Sequence, residues 1–225
     1  PNYKKDWDQS CANELGRLAQ GLGDKIKGTN TLVFIAKSKV PSGRTVTYAR
    51  IVCTIRPEKE ETNRTCITCG GNLILDYPGD VSTKTASLET FKIHINSVIS
   101  TPGAKYMAMD ISNMYLNTPL DRYKYMCIKL SNIPQQIIDQ YHLNNLVADN
   151  GYVYMEIRRA MYGLKQSGML AYKELKKVLA KAGYFPSKHT AGLFVHKSRP
   201  ISFTLVGVRS GVGSMACSKC GHLSL

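Results

Sequence analysis

The sequence predicts an α+β fold with an antiparallel sheet backed by helices, and three observations predict it. Apolar, alternating runs recur at 31–36, 44–55, 104–111, 152–157 and 201–206, separated by Gly, Pro and Asn turns. Two stretches, 85–100 and 172–182, carry apolar residues at helical spacing. The order of strands and helices is that of an α+β fold, and no internal repeat is visible, which argues against a solenoid. With 43% hydrophobic and 20% charged residues over 225 positions, the composition is that of a globular protein with ample chain to bury a core.

Taken in order, Trp7, Leu15, Leu18, Leu22 and Ile26 fit a short helix over 7–27, weakened by Gly16, Gly21 and Gly23. Thr31–Ala36 is an apolar strand, and Arg44–Ile55 follows as the next one after the turn at Pro41-Ser-Gly43. Residues 57–64 form a charged loop, and 64–72 a strand that runs into glycines. Leu88, Phe91, Ile95, Val98 and Ile99 mark the core face of a helix ended by Pro102-Gly103. Residues 131–150 read as an exposed excursion in which Pro134 starts a polar helical turn. Tyr152–Ile157 alternates as a strand. Tyr172, Leu175, Val178, Leu179 and Ala182 trace a helical face that stops at Gly183, with Lys173, Lys176, Lys177 and Lys181 opposite. Leu193–Val195 and Ile201–Val206 form a hairpin.

The formal charge is +14, from 30 basic and 16 acidic residues, and it favours a polyanionic partner. A membrane is not expected, since no apolar run approaches the ~20 residues that span a bilayer and no secretory leader opens the chain. Seven cysteines, at 11, 53, 66, 69, 127, 217 and 220, are too sparse for a disulfide framework, so reduced thiols and an intracellular setting are expected. The start at Pro1 is expected of a piece of a longer protein.

Asp110 closes the strand that begins at Ala104, so its carboxylate is expected to project from the sheet end. Two readings stand: a surface Asp opening a turn, or a ligand for a hard cation such as Mg2+ that keeps sites open for phosphate. Tyr115 stands five residues on. Ala160-Met-Tyr-Gly-Leu-Lys-Gln166 begins fifty residues after Asp110, with Tyr125-Met-Cys-Ile-Lys129 between them. In this order the segments resemble the first catalytic motif, the strand after it and the Tyr-Gly-Leu-Lys-Gln motif of Ty1/copia-class reverse transcriptases. The likeness spans most of residues 7–206.

The resemblance implies a piece of a retrotransposon polyprotein: a fingers-like region over 1–103, a palm-like region over 104–206 and a divergent Gly/Ser/Cys tail over 207–225. It implies RNA-directed DNA polymerase ancestry, with an RNA or DNA primer–template and deoxynucleoside triphosphates as partners. By the same resemblance Asp110 is the catalytic and metal-binding residue. Ile111, Tyr115, Tyr162, Gly163, Lys165 and Gln166 lie against the nucleotide, with Tyr115 under the sugar. Arg44, Arg50, Arg56 and Arg64 are candidates to face nucleic acid or triphosphate, each with a solvated strand face as the alternative.

One part of the pattern is missing. The family places an Asp-Asp turn after the strand matching Ile201–Val206, and this chain reads Gly207-Val-Arg-Ser-Gly-Val-Gly-Ser214. No Asp or Glu follows Glu174. Two-metal phosphoryl transfer needs those carboxylates, so Mg2+ binding is expected to be weak or lost and catalysis absent. The alternative within the same ancestry is a non-catalytic nucleic-acid-binding remnant. A competing reading is a zinc module built from Cys66-Ile-Thr-Cys69 and Cys217-Ser-Lys-Cys220-Gly-His222, although these pairs are far apart for one site.

Overall fold

The computed structural model describes residues 3–74 and 77–206, together with the backbone of 214–218. In chain order the elements begin with α1 (Tyr3–Leu18), β1 (Gly21–Leu22), β2 (Ile26–Lys27), β3 (Leu32–Ile35), β4 (Val46–Ile55), β5 (Asn63–Cys69) and α2 (Leu88–Ile99). They continue with β6 (Tyr106–Asp110), β7 (Pro119–Lys129), α3 (Gln135–Gln140), β8 (Tyr152–Arg159) and α4 (Ser167–Lys181). The last are β9 (Tyr184–Pro186), β10 (Leu193–His196), β11 (Ser202–Val206) and β12 (Ser214–Ser218). The fold is α+β. Among the described residues no helix is long and apolar enough to cross a membrane.

Two compact units emerge, 1–79 with 116–167 and 80–115 with 168–225. The sequence reading drew its boundaries at 103 and 206. The units divide elsewhere because β7 and β8 pair into the sheet that β3, β4 and β5 begin.

That sheet of the first unit runs β3-β8-β7-β4-β5, antiparallel except for β4 beside β7. It is therefore mixed, and the uniformly antiparallel arrangement expected from sequence belongs to the second unit. One face is the core: Leu32, Met126, Met155 and Ile157 are fully buried. The edge strand β5 would present unpaired amides, a template for unwanted pairing. Here they are capped. Thr65 N donates to Ser10 Oγ (2.8 Å), the Ile67 amide to the Glu14 carboxylate, and Cys69 N to the Tyr162 carbonyl (2.9 Å). Ser10 and Glu14 are buried residues of α1, so the helix closes the edge with side chains while Leu15 and Leu18 fill the core.

Two expectations are corrected in this unit. The first helix starts at Tyr3, runs unbroken through Gly16 and stops at Leu18; Gly21 and Gly23 belong to the hairpin beyond it. Residues 131–150 are anchored rather than merely exposed, because Ile133, Ile137, Ile138 and Leu143 are buried and Tyr141 meets Phe34 at 5.1 Å.

The sheet of the second unit runs β6-β12-β11-β10-β9 and is antiparallel throughout. Alternation splits β11 between two faces. Ser202 and Thr204 meet the His94 ring of α2, at 3.2 and 3.4 Å, and burial lowers the pKa of that imidazole. Phe203 stacks on Phe194 with ring centroids 5.0 Å apart, and Tyr172 of α4 meets Phe194 edge-on. The two helices thus cover opposite faces.

The helical faces need adjustment as well. In α2 the buried residues are His94 and Val98, Phe91 and Ile95 are half-buried, and Leu88 and Ile99 are exposed. Helical spacing alone overcounted the core stripe, since α2 seats on β11 and β12 with Leu88 and Ile99 left outside the contact. In α4 Val178 is exposed, as is Ala182 just past its end, while Tyr172 and Leu179 are buried and the four lysines face outward as expected.

Candidate functional site

Asp110 is the last residue of β6, exposed at the strand end as expected. Its neighbours follow from register. Asp110 pairs with Ser214 of β12, and Ser214 pairs with Val206 of β11. β6 and β11 are therefore parallel to one another, two strand spacings or about 10 Å apart. Asp110 and Val206 end their strands in the same row at the same end of the sheet. Residues 214–218 of the expected divergent tail thus form the strand β12. Its only signal is the short alternation Ser-Met-Ala-Cys-Ser, too brief to identify a strand without a partner.

Beyond Asp110, Ile111 is half-buried, while Tyr115 is only 6% exposed. Residues 207–213, where the resemblance places the Asp pair, lie outside the described residues.

The second motif belongs to the first unit and has a packing role. Gly163 takes φ +96°, and a Cβ there would stand 2.0 Å from the Cys69 carbonyl oxygen. A Cβ on Gly71 would stand 1.9 Å from the Gly163 oxygen, so two backbones touch here with no room for side chains. Tyr162 supplies the carbonyl that caps Cys69, and burial raises the pKa of its phenol. Gln166 is 2% exposed, and Lys165 is the one nucleotide candidate in this motif whose side chain is exposed.

The four arginines divide. Arg64 pairs with Glu14 at 3.3 Å and Glu61 at 3.1 Å, and Arg56 pairs with Glu61 at 3.3 Å. Arg64 thus ties β5 to α1, and Arg56 is held within the β4–β5 turn. Arg44 donates to the Tyr123 carbonyl and lies over the Tyr125 ring, and Arg50 is exposed and reaches Asn72. Of these four arginines, Arg44 and Arg50 are the two with no carboxylate partner among the described residues.

Neither metal reading gathers ligands. Among the described residues no group of three His, Cys, Asp or Glu side chains could hold an ion. Asp110 is a lone carboxylate, and the described residues do not fit a two-metal centre. Cys66 and Cys69 alternate to opposite faces of β5, and burial pushes the Cys69 thiol up to about 12, against thiolate ligation. For the second pair, Cys217 is described by backbone alone, and Cys220 and His222 lie outside the described residues.

Compared with family models, with curated proteins and with solved structures, the chain finds no match.

Proposed function

We propose that this chain derives from an RNA-directed DNA polymerase of the copia class, keeps affinity for nucleic acid and has lost nucleotide addition. The observation that carries the reading is the shared row of Asp110 and Val206 at one end of an antiparallel sheet. A polymerase needs its lone Asp and its Asp pair to converge on one end of the palm sheet. Here the strand that should deliver the pair ends in the same row as the Asp, one strand removed, and the residues after it contain no carboxylate. The spacing from Asp110 to the Tyr162–Gln166 motif supports the same ancestry. A charge of +14 supports sequence-independent binding to a primer–template, with affinity falling steeply as salt rises.

Primer extension on an RNA or DNA template, with Mg2+ or Mn2+ in the buffer, tests the reading directly. No product is expected. Replacing the residues from Gly207 onward with a Val-Asp-Asp turn and returning strand should restore some addition. Asp110→Asn should abolish that gain, and Tyr115→Ala should relax discrimination against ribonucleotides. Robust extension by the unaltered chain, or no binding to primer–template at low salt, would overturn the proposal.

A further inference from the structure

The core face of the first unit's sheet is sealed, whereas its opposite face carries a row of tyrosines and cations. Register assigns Tyr125, Cys127 and Lys129 of β7 to this face, with Glu156, Tyr154 and Tyr152 opposite them on β8. Val46 and Tyr48 of β4 flank Tyr125 and Cys127 on the other side. Four basic side chains lie over four rings: Lys37 over Tyr154 (6.0 Å), Arg44 over Tyr125 (5.6 Å), Lys129 over Tyr152 (6.0 Å) and Arg158 over Tyr123 (5.7 Å).

The rings of Tyr48 and Tyr123 are open to solvent, at 55% and 42% exposure, and Tyr48 meets Tyr152 edge-on at 5.8 Å. Between Tyr48, Tyr154 and Lys37 lies an open depression of about 290 Å³, floored by Val46 and Cys127. In the paired stretch of β4, β7 and β8 the one carboxylate on this face is Glu156, and Arg158 neutralises it at 2.7 Å. The remaining charge is positive.

We infer that this face binds single-stranded nucleic acid, stacking a base on the open ring of Tyr48 against the half-buried Tyr152 while Lys37, Lys129 and Arg50 take the phosphates. The chemistry selects that partner. Exposed aromatic rings on a sheet offer stacking surfaces to unpaired bases, and interleaved cations track a flexible phosphate backbone. A duplex keeps its bases stacked inside and presents no face to these rings, so it gains the charge term alone. An acidic peptide would use the cations and leave the rings idle. The inference rests on the sheet face of the first unit and does not depend on polymerase ancestry.

The test is fluorescence anisotropy of the whole chain with a labelled oligo(dT), an oligo(rU) and a blunt duplex of equal length. Tyr48→Ala should weaken single-strand binding about tenfold and leave duplex binding within about twofold. Tyr48→Phe should restore most of the loss, because the ring and not the hydroxyl stacks. Lys129→Ala should weaken single strands and lower the salt slope, while Lys177→Ala on α4 should change affinity less than twofold. Photocrosslinking of a 5-iodouracil oligonucleotide to the unaltered chain should mark Tyr48 or Tyr152, which keeps the test decisive should Tyr48→Ala fold poorly. Equal loss for single strand and duplex, a Tyr48→Ala variant that binds as before, or crosslinks confined to other tyrosines would each overturn the inference. Failure of primer–template extension bears on the polymerase reading alone and leaves this one standing.

Discussion

Gly163 and Asp110 both carry the family likeness, yet the fold demands only one of them. At Gly163 the backbone is left-handed and a Cβ would collide with the Cys69 carbonyl, so packing alone requires glycine. Tyr162 beside it caps an edge strand, which any protein with this sheet must arrange somehow. Asp110 does no such work: it is exposed at a strand end, and Asn or Ser would close the strand equally well. The difference teaches how to weigh a motif. A residue that packing explains is weak evidence for chemistry, and a residue that packing leaves unexplained is where a lost or latent function shows.

Stability measurements can break or sharpen this contrast. The largest effect is expected at Gly163. Gly163→Ala should cost about 5 kcal/mol or prevent folding, since backbone must move to admit the methyl group. A near-neutral result in urea denaturation would remove the packing account of the motif. Next comes the sheet beneath Asp110. Phe194 is fully buried on Phe203, so Phe194→Ala should cost about 3–5 kcal/mol. Phe91 on α2 is only half-buried, and Phe91→Ala should cost about 1–2 kcal/mol. Equal costs would show that α2 is seated more deeply than its exposure implies.

The edge cap that Tyr162 shares with Glu14 gives a pH signature. Burial pushes the Glu14 carboxyl above its ordinary value, against the pull of Arg64 and Arg17. Cys11, Cys66 and Tyr162 also face it, neutral over the range concerned. A carboxyl with a raised folded pKa holds its proton more tightly in the native state. Its contribution is therefore most favourable below 4.5 and is lost as pH rises through the folded value. Glu14→Gln should flatten the stability curve in that window. An unchanged curve would mean that the arginines, not burial, set the carboxyl. The smallest effects are expected at the surface. Asp110→Asn and Lys177→Ala, the latter breaking an exposed 2.6 Å pair with Glu174, should each change stability by about 0.5 kcal/mol or less. A large loss at Asp110 would give it a structural role and collapse the contrast with Gly163.

The sequence by itself determined the α+β class, the long helices and most of the longer strands, and the end of β6 at Asp110, because alternation, helical spacing and turn residues are local signals; the short strands β1, β2, β9 and β12 escaped it. It also indicated that α4 ends before Gly183, whose φ is +84°. The rest was decided at a distance. No local pattern in Ser10, Glu14 or Tyr162 says that they cap the amides of β5, since each is polar or aromatic in an ordinary helix or turn. Spacing made Leu88 and Val178 core residues, and the narrow seat of each helix left them exposed. Ser214–Ser218 looked like tail until a gap between β6 and β11 gave it two partners. Tyr48, Tyr123 and Tyr152 are scattered over 105 positions and reach one face only when β4, β7 and β8 align. Strand pairing joins residues of high sequence separation through backbone groups that every residue carries, and so leaves little trace in side-chain order.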